Sequence, residues 1–260
     1  MILRRVALHL RRQDWIAVSI ELIVVVLGVF IGLQAANWNE ERLSAKRGAV
    51  YAERLKAELR FEQEYAIALI AYNQSTLQAG QMAYQGLTGK TSLNDEAILI
   101  HAFRATQYNW YERRRATFDE VVASGSLSLI ADQDLLATAI GFYNSPLFDL
   151  MIEEGQDAKY RTLFRMTIEP DVQDALARAC GDKEYAIGGV AAGLLTLDYA
   201  CGLDISDSDI AQAVLALKTD PEIIRALRLR NAETVGRIGD IELTLRSLGM
   251  GALFPELNSR

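Results

Sequence analysis

From Trp15 to Trp38 the chain reads WIAVSIELIVVVLGVFIGLQAANW, and this apolar run constrains the fold more than any other stretch. At 1.5 Å per residue it makes a helix of roughly 35 Å, enough to cover a bilayer core of about 30 Å. A tryptophan stands at each end, where amphipathic rings sit at membrane interfaces. The pattern predicts one transmembrane helix over residues 15–38. A cleavable signal peptide is the rival reading of a basic start followed by an apolar run. Its cleavage site is poor, because cutting after Ala36 puts Gln34 at the third position back and cutting after Ala35 puts Leu33 there.

One residue breaks the pattern. Glu21 sits about 9 Å inside Trp15, where an unpaired charge is costly. On a helical wheel it shares a face with Val25, Gly28, Gly32 and Ala36, and Gly28 with Gly32 forms a small-xxx-small pair on which another helix can approach closely. Two accounts of Glu21 stay open: snorkelling to the near interface, or pairing across an oligomer. The second predicts helix association through Glu21, Gly28, Gly32 and Ala36, with another copy or another membrane protein as partner.

Charge and cysteines bear on topology. The formal charge is −7, yet residues 1–14 carry Arg4, Arg5, Arg11 and Arg12 against Asp14, a local +3 that leaves −10 on the rest. The basic head, with Ile2, Leu3, Val6 and Leu10 between its arginines, reads as a short amphipathic segment against anionic lipid; His9 is an interfacial side chain there. The acidic body argues against nucleic-acid binding. Arg42, Lys46 and Arg47 follow the span, so the positive-inside count only leans towards a cytoplasmic N-terminus. Both cysteines, Cys180 and Cys201, fall in the body. Paired, they close a loop worth about 3 kcal/mol and suit an oxidising compartment; the other reading is two reduced core cysteines. Together these place the body, residues 39–260, outside the cytoplasm.

The body reads as all-α. After Trp38 a stripe through Ala52, Leu55, Leu59, Ala66, Ile70 and Leu77 keeps helical spacing without a proline, so the membrane helix is expected to run on as one stalk and stop near QGLTGKTS. That turn is no phosphate loop, since Tyr84 stands where the motif needs glycine; Thr91 or Ser92 is expected to cap the next helix, which carries His101. Thr117 with Glu120 reads as a capping box, Gly125 as a helix stop, Asp132 as a cap, and Pro146 as the start of a helix through to about Ile168, with Pro170 closing it. AIGGVAAGLLTL between the cysteines is too short for a second span and reads as core. DISDSD lacks the glycine and distant glutamate of a calcium loop and reads as a helix cap. Asp220 and Pro221 open a last long helix with a stripe of Ile224, Leu227, Ile238, Ile241, Leu245 and Leu248, stopped by Gly249 and Gly251 and long enough to pack along the stalk. The expected architecture is a transmembrane helix continuing into a stalk, packed into an elongated helical bundle.

Two stretches, ELIVVVLGVFIGLQAANWNEER and RRRATFDEVVASGSLSLIADQDLLATAIGFYN, resemble an uncharacterised bacterial family of single-pass membrane proteins with a domain of unknown function. The resemblance covers about a quarter of the chain and does not reach the tail after Pro170. It implies a membrane anchor followed by a helical domain, and it brings no reaction, substrate or cofactor; with the topology above, the expected location is the bacterial inner membrane with a cytoplasmic N-terminus and a periplasmic body.

Arg113, Arg114 and Arg115, beside Tyr108, Trp110 and Tyr111, are the densest basic and aromatic cluster of the body. They are candidates for holding an anion or an acidic peptide, or else solvated arginines on a loop pinned by its aromatics. No metal cluster, nucleophile motif or phosphate loop is present, so no catalytic residue, metal or cofactor is expected. An anchored interaction or scaffold module is the first expectation. An anion or peptide sensor at Arg113–Arg115 is the second, and a hydrolase the weakest.

Overall fold

The computed structural model describes residues 15–187 and 190–257; the predicted basic head, His9 included, lies outside them. Helix α1 runs unbroken from Trp15 to Leu87, 73 residues and so roughly 110 Å, because nothing in that stretch removes a backbone donor. It stops where expected: the Thr88 hydroxyl donates to the Tyr84 carbonyl at 2.6 Å, and Gly89 takes a positive φ of 70°. Every residue from Ser19 to Leu43 is exposed. This part is long and apolar enough to cross a membrane by length and composition. A second stretch, Gln133–Thr167, passes the same test, but it is divided among three helices with two-fifths of its apolar window buried.

The bundle begins at Gly48, where a β-carbon would collide with the Leu129 carbonyl. Around the upper part of α1 pack α2 (Asp95–Arg104), α3 (Ala116–Ala123), α4 (Gln133–Tyr143), α5 (Leu147–Gln156), α6 (Lys159–Thr167) and α7 (Pro170–Cys180). A hairpin of β1 (Lys183–Ile187) and β2 (Val190–Thr196) follows, then α8 (Asp207–Thr219), α9 (Pro221–Ser247) and a short α10 (Met250–Leu253). The stripe on the last long helix does its expected work: α9 lies antiparallel along α1, its start packed with the end of α1 and Ile241 with Leu55 and Leu59.

Two apolar cores are stacked along α1. The upper one joins Leu87, Leu99, Phe164, Leu176, Leu217 and Leu227. The lower joins Leu55, Leu59, Phe118, Phe142, Ile241 and Met250. Between them the α1–α9 seam turns polar, with Tyr72, Asn73 and Thr76 facing Arg230, Thr234 and Arg237, all buried. These polar groups are mostly satisfied: Arg230 donates to the carbonyls of Ala105 and Gln107, Arg237 to Glu154, and the Tyr72 hydroxyl to Asp182 at 2.7 Å. Burial pulls the Arg230 guanidinium down to about 10, since water no longer solvates its charge.

Several local expectations need correction. The cap of α2 is Asn94, whose side chain accepts from the Ala97 N–H, and not Thr91 or Ser92. The helix expected from Pro146 onwards breaks at Asp157 and Ala158 into α5 and α6, and Pro170 opens α7 instead of only closing what precedes it. The stretch between the cysteines holds an antiparallel hairpin, with Lys183 opposite Thr196 and Tyr185 opposite Leu194, the one pair of strands among the described residues, while Leu194 and Leu197 are buried as the core reading expected. Asp132, Ser206 and Asp220 do cap α4, α8 and α9, and Gly125 and Gly249 stop their helices at φ 67° and 68°.

Candidate functional site

Three places drew attention in the sequence, and the first is the face of α1 that carries Glu21. At 100° per residue, Glu21, Val25, Gly28, Gly32 and Ala36 fall in one sector of about 80°, and so do Leu43 and Val50 further up. Among the described residues nothing covers it at the two glycines: no atom lies within 4 Å of a β-carbon built on Gly28 or Gly32. Leu43 and Val50 are 46 % and 57 % exposed. Gly48, Leu55 and Leu59, which meet the bundle, lie about 160° round the helix. The free face therefore continues above Trp38 with the bundle on its far side.

The second place is Arg113–Arg115, and the structure does not bring the three guanidinium groups together. Arg113 is inserted, its side chain 9 % exposed, and donates to Asp149 at 2.8 Å and to the carbonyls of Phe142 and Ser145. Arg114 lies over the Phe61 ring, 3.5 Å from its centroid. Arg115 pairs with Asp119 one turn on. Each cation already has a partner inside the chain, which weighs against a shared anion pocket.

What holds this segment is a pair of stalk carboxylates that the sequence reading passed over. Glu58 accepts from the Thr117 N–H and Glu62 from the Arg114 N–H, at 2.8 and 2.7 Å. Glu62 also accepts a short hydrogen bond from the Tyr111 hydroxyl. The Tyr111 ring stacks on Tyr65 with centroids 3.4 Å apart, Tyr65 donates to Asn109, and Tyr143 donates to the Arg114 carbonyl at 2.7 Å. The expected capping box does not form: α3 has no side-chain cap of its own, because Glu58 takes the Thr117 N–H while Glu120 pairs with Arg54. Carboxylates from another helix thus serve the exposed donors and the positive end of α3.

This junction is strongly desolvated. Burial raises Glu62 from 4.5 to about 7 despite the opposing bonds from Tyr111 and Arg114 and the nearby charges of Arg113 and Arg114. Burial likewise pushes Tyr65 up to about 12 and Tyr111 and Tyr143 well above the ordinary phenol range. A signal for Glu62 was present in the sequence. It continues the stripe Leu55, Leu59, Ala66, Leu69 at spacings of four and three, so a carboxylate stood where a core residue belongs. Arg230 and Arg237 interrupt the stripe Ile223, Leu227, Ile241 on α9 in the same way.

The third place is the cysteine loop. The sulfurs of Cys180 and Cys201 stand at bonding distance, with Cα atoms 5.5 Å apart. Arg104, which the sequence reading did not single out, ties the loop to α2. Its guanidinium donates to the carbonyls of Cys180 and Tyr199 and sits over the Tyr199 ring. His101 is half-buried on the same helix, its Nδ1 without a partner, and burial lowers its pKa.

Among the described residues no group of three or more His, Cys, Asp or Glu side chains is placed to hold a metal ion. A groove of about 520 Å³ between α1 and α9, lined by Gln63, Ile67, Ile70, Glu242, Leu245 and Arg246, holds one carboxylate and one guanidinium but no hydroxyl, thiol or imidazole in its lining. Comparison with protein-family models, with curated proteins and with solved structures finds no match.

Proposed function

We propose that the chain is a single-pass membrane-anchored helical module that associates with a second membrane helix through the face of α1 bearing Glu21, Gly28, Gly32 and Ala36. The observation that carries this reading is the continuity of that face. Leu43 and Val50 extend it past Trp38 in the same sector, on the side of α1 away from the bundle, and both are exposed. Exposed apolar residues repeated at one angle favour a partner helix over solvent. The resemblance to a bacterial family of single-pass membrane proteins supports the same anchor, which we assign to the inner membrane. The arginines before the span and the cysteine pair in the body support a cytoplasmic N-terminus and a periplasmic bundle.

In this reading the bundle is the part that meets partners outside the membrane, and no catalysis is assigned to it. Cross-linking of the full-length protein in native membranes tests the association. Glu21→Leu and Gly28→Ile are expected to change the yield of cross-linked species while the bundle stays folded. Unchanged yields in both variants reject the association face, and a C-terminal reporter active only in the cytoplasm rejects the topology.

A further inference from the structure

We propose that Glu62, Tyr111 and Arg114 form a pH-operated clasp, which holds residues 107–115 against α1 in the acid range and loosens as the pH rises through neutrality. The clasp stands on its geometry. Glu62 is 0 % exposed, and its two oxygens are spent on the Arg114 N–H and the Tyr111 hydroxyl, so the one carboxyl group joins stalk and loop at two points. One turn below, Glu58 makes the next attachment at Thr117. Protonation does not break the junction, because the acid's carbonyl oxygen still accepts from the Arg114 N–H and its O–H becomes a donor towards the Tyr111 oxygen.

The groups facing Glu62 set the direction of the response. From α1 come Glu58 and Tyr65, from the loop Tyr111, Arg113 and Arg114, and from α4 Tyr143; Asp149 of α5 holds Arg113, and Tyr185 of β1 faces Tyr65. The phenols are kept neutral by burial, and the two arginines favour the carboxylate, yet burial outweighs them and Glu62 titrates near 7 instead of 4.5. Folding therefore strengthens proton binding at Glu62. The stabilisation this supplies is complete below the unpaired value of 4.5 and is lost progressively as the pH climbs to about 7.

Opening the clasp also changes the surface of α1. Phe61, now under Arg114, lies five helical turns above Leu43 and so in the same angular sector. Loosening would lengthen the free face upwards, a consequence that rests on the association proposed above, whereas the clasp itself does not.

Amide hydrogen exchange of the full-length protein in lipid nanodiscs, corrected for intrinsic rates, tests the clasp through the segment 107–117. Protection is expected to fall roughly 30-fold between pH 5.5 and pH 8 in the wild type. It should stay level in Glu62→Gln, which is neutral throughout. Tyr111→Phe removes a bond that favours the carboxylate, so its midpoint should move to higher pH even if Glu62→Gln folds poorly. Equal protection at both pH values in the wild type, a pH response retained in Glu62→Gln, or an unmoved midpoint in Tyr111→Phe would each overturn the proposal. Failure of cross-linking at Glu21 and Gly28 with the exchange response intact rejects the association alone.

Discussion

From Ser19 to Leu43 helix α1 is exposed on every side, whereas from Leu55 to Leu87 the same helix buries a stripe against two cores. The lower part is apolar almost all round, and its side chains stand free at about half to two-thirds exposure. The upper part alternates buried and charged faces as a bundle helix in water must. One continuous backbone therefore carries two sequence grammars. The apolar run ends at Trp38, a short polar stretch follows, and the bundle begins at Gly48, where α1 comes close enough to the Ser126–Leu129 turn that no side chain fits. The described contacts of the bundle end there, and no described residue of the chain packs on the lower part.

That contrast can be broken by matched substitutions, measured by thermal unfolding of the full-length protein in mild detergent. Leu59→Ala in the lower core should cost about 2–5 kcal/mol, while Leu33→Ala in the free part should leave bundle unfolding unchanged. Equal losses would mean that the two parts share one core. Removing the cross-link by Cys180→Ser with Cys201→Ser should cost about 3 kcal/mol, because the closed loop no longer restricts the unfolded chain. No change in melting on reduction of the wild type would show that the cysteines are not joined. Gly48→Ala should cost about 1–3 kcal/mol through its collision with Leu129, against no measurable loss for Gly28→Ala, where space is open. Leu43→Ser with Val50→Ser should shift stability by under about 0.5 kcal/mol, yet reduce cross-linking between copies or with a partner.

Much of this organisation was legible in the sequence because it is periodic and local. The apolar run between Trp15 and Trp38, the helical stripe that follows without a proline, and the caps Asp132 and Asp220 each state their structure within a few residues. What escaped depends on distant partners. Thr117 and Glu120 have the spacing of a capping box, but Glu58 and Arg54, some sixty residues earlier, compete for them and win. Glu62 announced itself only as a carboxylate on a core stripe; that it would hold Tyr111 and the Arg114 N–H is a tertiary fact. The arginine cluster drew attention by composition, and packing then dispersed it onto Asp149, Phe61 and Asp119. The hairpin was missed because AIGGVAAGLLTL shows no clean alternation and a short apolar run fits helix or strand equally; the Gly188-Gly189 pair, a two-residue turn signal, was passed over.

Whether the lower part of α1 lies in the membrane and out of water is open to one direct measurement. Single cysteines placed in turn from residue 22 to residue 69, in membranes and with Cys180 and Cys201 left oxidised, are treated with a membrane-impermeant maleimide. Residues 22–36 should be unreactive at every position, residues 39–47 reactive at nearly every position, and residues 50–69 reactive with a helical period that spares Leu55, Leu59, Glu62 and Ala66. Reaction throughout residues 22–36 would contradict the account, because it would place that part of α1 in water.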